Sequence, residues 1–361
     1  MNFTHISEGE YSTLLGMNGG CPESPDGSRI VYARKENITD SSKAELWICN
    51  SDLTDHRKVF DIECGNHNGP SASFIDNSLV VFRSVYNGMG VFYILNVDTG
   101  ETVYGPIAAK ESHCAENGRY PFSLDPKQEN KNPAYPGITT AGIYSLDVKS
   151  GAITKVLDAN DMLSEIKKAG YEPNEHTLSL SHVQWNPSAD KVMMRIGING
   201  FGGALLGCFD TKTKKTHFIP NKPVHQLWFD DDSYIAVYQY HDGTRWHMDK
   251  SRINRYTIDG EIIEPLGGIG NHVDRSPDKE WITGDSMYPD EDVSVFLYKR
   301  GHTEPAAVID THRFLDTAWK LNVHTNPSFS RDGKRIYFNR PLSSEKTSAV
   351  FADISDIVKS V

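Results

Sequence analysis

The sequence predicts an all-β protein closed into a single ring, a seven-bladed β-propeller spanning residues 1–361. Three observations predict it. A tight polar turn followed by a short apolar strand recurs seven times. The units so marked run roughly 40 to 70 residues, the period of a propeller blade. In three units a histidine stands at one fixed offset ahead of the turn. Such a repeat fixes the architecture, because one unit cannot bury its own faces and must stack on its neighbours.

Taken in order, Ser24-Pro25-Asp26-Gly27 leads into Ile30-Val31-Tyr32-Ala33, and Asp76-Asn77 into Leu79-Val80-Val81-Phe82. Asn117-Gly118 leads into Tyr120-Pro121-Phe122-Ser123-Leu124, and Pro187-Ser188-Ala189-Asp190 into Val192-Met193-Met194. Asp230-Asp231-Asp232 precedes Tyr234-Ile235-Ala236-Val237, and Ser276-Pro277-Asp278-Lys279 precedes Trp281-Ile282-Thr283. Ser330-Arg331-Asp332-Gly333 precedes Ile336-Tyr337-Phe338. These β-branched and aromatic runs, bounded by turn residues, read as the innermost strands of the blades. A second strand follows in each unit, as in Leu46-Trp47-Ile48-Cys49, Val91-Phe92-Tyr93-Ile94-Leu95 and Val350-Phe351-Ala352-Asp353. Residues 158–170 break the pattern: Met162, Leu163 and Ile166 recur at helical spacing and predict a short helix between blades three and four. Gly197 to Gly203 has the glycine content of a phosphate loop but opens no helix, so a hairpin is expected.

Composition narrows the function. A net charge of −11 disfavours a general nucleic-acid binder while leaving room for a local basic pocket. The five cysteines form no Cys-x-x-Cys pair, against a disulfide scaffold or zinc ribbon. No apolar run approaches the roughly 18 residues needed to span a bilayer, and residues 1–20 lack the pattern of a signal peptide. A soluble, cytoplasmic protein is expected; a periplasmic or secreted chain whose leader had been removed would read the same. No Gly-x-Ser-x-Gly elbow is present, against a propeller-gated serine peptidase.

The histidines carry the chemical signal. His182 stands three residues before Trp185 and ten before Val192; His225 and His272 keep those offsets from Trp228 and Ile235, and from Arg275 and Ile282. His324 precedes Phe329 and His67 precedes Phe74. In a propeller these positions ring one mouth of the central channel. Imidazole is a common metal ligand and titrates near neutral pH, so the ring reads as a metal site, an acid/base site, or both.

These segments resemble a known group, the seven-bladed polysaccharide lyases acting on uronic-acid glycans. Val224-His225-Gln226-Leu227-Trp228-Phe229, Asn271-His272-Val273-Asp274-Arg275-Ser276 and Val323-His324-Thr325-Asn326-Pro327-Ser328-Phe329 are similar to histidine segments of oligogalacturonate lyases. Gly65-Asn66-His67-Asn68-Gly69 and Asn132-Pro133-Ala134-Tyr135-Pro136-Gly137 are similar to ulvan lyase segments holding a catalytic histidine and tyrosine. Asn326 and Leu321 stand where the first family has a further histidine and a glutamine, and the arginine base of that family falls near Ala204. The resemblance implies β-elimination on an acidic oligosaccharide or polysaccharide. His67, Tyr135 and His225 would be catalytic, with Tyr135 as proton donor. His182, Arg195 and Arg83 would bind substrate, and His272 and His324 would hold a divalent metal (manganese, zinc or calcium).

Two other classes fit the same scaffold. A non-catalytic TolB-like propeller would present one face to a glycan or protein. A glycoside hydrolase would need two opposed carboxylates, for which Asp274 and Asp285 lie near the histidines in sequence.

Overall fold

The computed structural model describes residues 3–39, 42–111, 113–173, 178–197, 204–219, 223–242, 244, 246–286, 292–313 and 321–360. Seven antiparallel sheets follow one another along the chain, six of four strands and one of three. They are numbered here as blades 1 to 7: residues 12–63, 73–108, 119–158, 179–219, 224–267, 273–313 and 328–353. The chain start closes the ring. Phe3–His5 pairs with Lys346–Asp353, placing Phe3 opposite Ala352 and His5 opposite Val350, and so supplies the outermost strand of blade 7.

Of the seven runs expected as innermost strands, six are second strands, and the run Tyr120 to Leu124 lies in the first strand of the three-stranded blade 3. Arg29–Lys35, Leu79–Tyr86, Lys191–Gly197, Ser233–His241, Trp281–Asp285 and Arg335–Ser343 each sit one place out from the axis. The innermost strands lie ahead of the turns and, blade 4 apart, are shorter: Ser12–Leu14, Ser73–Phe74, Ser179–Trp185, Val224–Trp228, Val273–Arg275 and Ser328–Phe329. The reason is burial. A second strand is covered on both faces, so it reads as continuous apolar sequence. Ile30 and Tyr32 pack with Tyr337 and Phe351 of blade 7. Val31 and Ala33, pointing the other way, pack with Val80 and Phe82 of blade 2. The innermost strand borders the channel and tolerates polar residues.

That alternation repeats around the ring. Seven buried apolar clusters fill the seven junctions between neighbouring blades. The turns are held by their own side chains. Ser24 Oγ donates to Asp26 Oδ1 at 2.6 Å, and Gly27 takes a φ of 70°. The seventh turn repeats this with Ser330, Asp332 and Gly333. The expected helix is present as Ala159–Lys168, capped by Asp158, whose carboxylate accepts from the Asn160 amide. Its Met162, Leu163 and Ile166 fill the junction between blades 3 and 4. Residues 198–203 of the glycine-rich hairpin lie outside the described residues. Among the described residues no helix is long and apolar enough to cross a membrane.

Blade 3 is the irregular one. Its sheet begins at Arg119–Leu124, and the segment ahead of it contributes only the bridge between Glu116 and Arg119. In this segment Glu111 and His113 to Glu116 line the channel; His113 donates its backbone amide to the Val183 carbonyl of blade 4 at 3.1 Å.

Candidate functional site

The histidine register has a backbone cause. The innermost strands of blades 4 and 5 break register at Ser181/Gln184 and Val224/Leu227. His182 and His225 occupy these bulges with left-handed φ values of 51° and 53°. Ser71 and Asn326, at the same offset in blades 2 and 7, have φ of 43° and 46°. The left-handed position therefore recurs in four blades with different residues in it, while His272, at the same offset in blade 6, is not left-handed. A non-glycine residue held left-handed costs of order 1 kcal/mol and collects at functional sites. At positions 182 and 225 glycine variants are expected to be more stable than alanine variants by about 1 kcal/mol, the reverse of the usual order in a strand. Paired urea melts check this; alanine melting above glycine would refute it.

Four imidazoles form a continuous chain. The rings of His67 and His324 lie 3.6 Å apart between centroids, those of His324 and His272 4.8 Å, and those of His272 and His225 4.5 Å. His324 Nδ1 and His272 Nε2 are 2.9 Å apart. Behind them Asp285, with no exposed surface, accepts from His272 Nδ1 at 2.9 Å and from the His272 backbone amide at 3.1 Å. A carboxylate can only accept, so it puts the His272 proton on Nδ1 and leaves Nε2 to accept from His324. His182 completes the group: its Nδ1 is 3.4 Å from Glu111 Oε2, and Asn68 donates to the other Glu111 oxygen at 3.2 Å. The chamber they border has a volume of about 30 Å³ and is lined by His67, Glu111, His113, His182, His225 and His272 among others.

Burial keeps His182, His225 and His324 neutral. All three titrate below the ordinary imidazole range, first because burial disfavours the cation; neighbouring imidazoles add to this at His225 and His324, while at His182 Arg195 and Arg83 add to it against the opposing pull of Glu111. His113 is lowered to about 4 by burial and by His182. His67, at the exposed rim, is lowered by desolvation of its inner side. Burial alone would raise Glu111, but His182, Arg83 and Lys110 outweigh it and the carboxyl stays ionised. An unfolded histidine takes a proton near pH 6.5 and these folded ones do not. Stability is therefore full above pH 6.5 and falls as the pH drops, by about 1.4 kcal/mol per pH unit for each buried imidazole. Melting temperature is expected to fall between pH 7 and 5, less steeply in His324→Asn. A profile as steep in the variant would contradict the assignment.

Of the residues expected from sequence, the fold brings together His67, His182, His225, His272 and His324. Arg83 and Arg195 stand at the edge. Arg83 donates to the Lys110 carbonyl, Arg195 lies across the strand pair from Ser181, and both charges act on His182. Tyr135 is elsewhere. Its hydroxyl accepts from the Gly105 amide at 2.8 Å, in the outermost strand of blade 2, and its ring packs at the junction of blades 2 and 3. The loop carrying it docks on the outer side of the ring, which the motif did not encode. Asp274 and Asp285 serve opposite ends: Asp285 clamps His272, while Asp274 borders the other channel mouth. Glu111 and His113 escaped the sequence reading. They precede the third turn as other histidines precede theirs, but the irregular start of blade 3 shifts them out of register.

Among the described residues no group of three or more His, Cys, Asp or Glu side chains is arranged to hold a metal. Two imidazole nitrogens, His272 Nε2 and His324 Nδ1, do converge, with Asp285 orienting the first as outer carboxylates do in metal sites.

No protein-family profile matches the sequence, and no curated protein matches it. Solved structures match along nearly the whole chain. An oligogalacturonate lyase in complex with manganese is similar with a TM-score of 0.66 and 15% identity, covering 99% of this chain and 94% of that one. An oligogalacturonate lyase from Vibrio parahaemolyticus is similar with a TM-score of 0.64 and 13% identity, covering 97% and 93%. The β-propeller domain of Swd1 from Myceliophteria thermophila is also similar, with a TM-score of 0.53 and 10% identity, covering 94% and 99%. At these identities the likeness establishes the seven-bladed fold.

Proposed function

We propose that this protein is a lyase that cleaves uronic-acid-containing glycans by β-elimination at the histidine mouth of its channel. The observation that carries this is the convergence of five imidazoles, from blades 2, 4, 5, 6 and 7 or the segments leading into them, beside Arg83 and Arg195. The full-length fold likeness to two oligogalacturonate lyases supports it.

Elimination needs the uronate carboxylate neutralised, the C5 proton removed and the departing O4 protonated. Arg83 and Arg195 would bind the carboxylate, and His225 would complete the pocket beside them. His67 is the base: it is neutral, exposed, and directs Nδ1 toward Asn322 Oδ1 at 3.4 Å, which leaves Nε2 to accept a proton. His182 is the acid: neutral in the free protein, it would take up a proton once a bound uronate neutralises Arg195 and Arg83, two of the charges that hold it down, and Glu111 beside it favours the imidazolium that donates to O4. His272 and His324 would hold a divalent cation, which when bound would withdraw charge from the carboxylate as a Lewis acid.

Incubation with a panel of uronate glycans tests the reading through the ultraviolet absorbance of a C4–C5-unsaturated uronate. A rising signal on at least one glycan is expected; none on any would overturn it. A second reading, a glycan-binding propeller without turnover, is favoured by the two-ligand metal pair and the remote Tyr135. It predicts saturable binding with no absorbance change.

A further inference from the structure

The first blade reaches across the channel. Between its innermost strand and its polar turn, residues 17–20 form a tight turn closed by the Gly20 amide, which donates to the Met17 carbonyl at 3.0 Å, with Gly19 at a φ of 68°. The turn seats on blade 5, on the far side of the ring: a side chain on Gly19 would lie 2.4 Å from Leu227. Met17 and Asn18 line the histidine chamber, and Gly19 borders the cavity of about 430 Å³ toward the other mouth. Buried Asn18 makes the polar contacts. Its Oδ1 accepts from the Val273 amide at 2.7 Å, its Nδ2 donates to the His225 carbonyl at 3.5 Å, and its own carbonyl accepts from the His113 ring.

We infer that Asn18 is a positioning residue for the proposed elimination, an assignment that rests on the lyase reading: from blade 1 it fixes the backbone on which His225 and His272 stand. Each innermost strand is paired on one side only, so its other edge turns amides and carbonyls toward the channel, where they need partners. Between blades 4 and 5 the neighbours supply them. Gln184 Nε2 donates to the Gln226 carbonyl at 2.8 Å, and Gln226 Nε2 to the His182 carbonyl at 3.4 Å. On the inner edges of blades 5 and 6 the partner is Asn18, from a blade adjacent to neither. The two groups it holds are the carbonyl of His225 itself and the amide that follows His272. His225 needs the hold, because it sits in a bulge with a left-handed φ of 53°. Removing the Asn18 amide strands the buried Val273 N–H and loosens the bulge. The two rings, 4.5 Å apart between centroids, then lose their common reference. A misplacement of about 1 Å can cost about 10²-fold in rate.

The test compares wild type with Asn18→Ala and Asn18→Asp, by NMR of histidine-labelled protein and by kinetics on a uronate glycan. In Asn18→Ala the ring resonances of His225 and His272 are expected to move, while those of His5 and His217, in outermost strands, stay. The kcat is expected to fall about tenfold with KM little changed, since Arg83 and Arg195 hold the substrate from blades 2 and 4. Unmoved His225 and His272 resonances, an unchanged kcat, or displacement reaching His5 and His217 equally would overturn the positioning role. Asn18→Asp keeps an acceptor for the Val273 amide and loses the donor to His225, and it carries the test if the alanine variant does not fold. There His225 should move and His272 stay; a still His225 refutes the hold. Deuterium exchange in the wild type needs no variant. The Val273 amide is expected to be protected although it lies on a channel edge, and exchange at the rate of an open edge amide refutes its bond to Asn18. A wild type that gives no unsaturated product on any glycan, with displacement in Asn18→Ala still confined to His225 and His272, would instead sink the lyase reading and leave the hold of Asn18 standing.

Discussion

Replacing His67 with alanine is expected to lower turnover of a uronate glycan by about 10²- to 10⁴-fold, the range for loss of a positioned general base. The effect should fall on kcat more than KM, because the carboxylate is held by Arg83 and Arg195 and not by His67. Global stability should change little: the ring is exposed, and removal of an exposed side chain usually stays near 0.5 kcal/mol. What makes His67 the base is its surroundings. It stacks on His324 at 3.6 Å, it is kept neutral, and its Nδ1 is turned toward Asn322. Tyr135→Phe is the control. That hydroxyl is spent on the outer strand of blade 2, so its loss should leave kcat unchanged. Steady-state kinetics on the two variants separates the assignments. A dead Tyr135→Phe beside an active His67→Ala would reverse them.

Asp285→Ala should give the largest loss of stability in the molecule's polar interior. The side chain is fully buried and takes two hydrogen bonds from one residue, His272, through its ring and its amide. A bond to a charged group contributes about 1.5–3 kcal/mol, and stranding a buried donor adds its own penalty. A total of roughly 3–5 kcal/mol is expected from urea unfolding. Asp285→Asn keeps the volume and one acceptor and should lose about half as much. Because Asp285 orients His272, the cation proposed at His272 and His324 should bind about 10- to 100-fold more weakly in both variants, read by titration with manganese. A variant that melts like wild type would show that the His272–His324 contact does not depend on its carboxylate.

The fold was legible because a propeller repeats its physics. In three copies the polar turn is closed by the same bond from Ser to Asp, and the strand after it must be apolar on both faces, as Ile30 to Ala33 show. That same strength misplaced the strands by one. The innermost segments, such as Ser73–Phe74, are too short and too polar to announce themselves. At the site the shared offset of His182 and His225 was visible because both sit in the same bulge of their blades; His272 keeps the offset without the bulge. Glu111 and His113 were hidden because blade 3 starts without a ladder. Tyr135 illustrates the opposite limit: a local motif says nothing of which side of the ring its loop will dock on. The pairing of Asp285 with His272 spans thirteen residues and two strands, a contact that only the closed sheet creates.

The most direct measurement is the mass balance of the products released from a defined uronate oligosaccharide. Elimination adds nothing, so the two fragment masses must sum to that of the parent, with the unsaturated residue on the new non-reducing end. That sum is the result predicted for the wild-type protein, and it should vanish in His67→Ala. Fragments that together exceed the parent by one water would establish hydrolysis, and with it a different use for the imidazoles at the mouth of this channel.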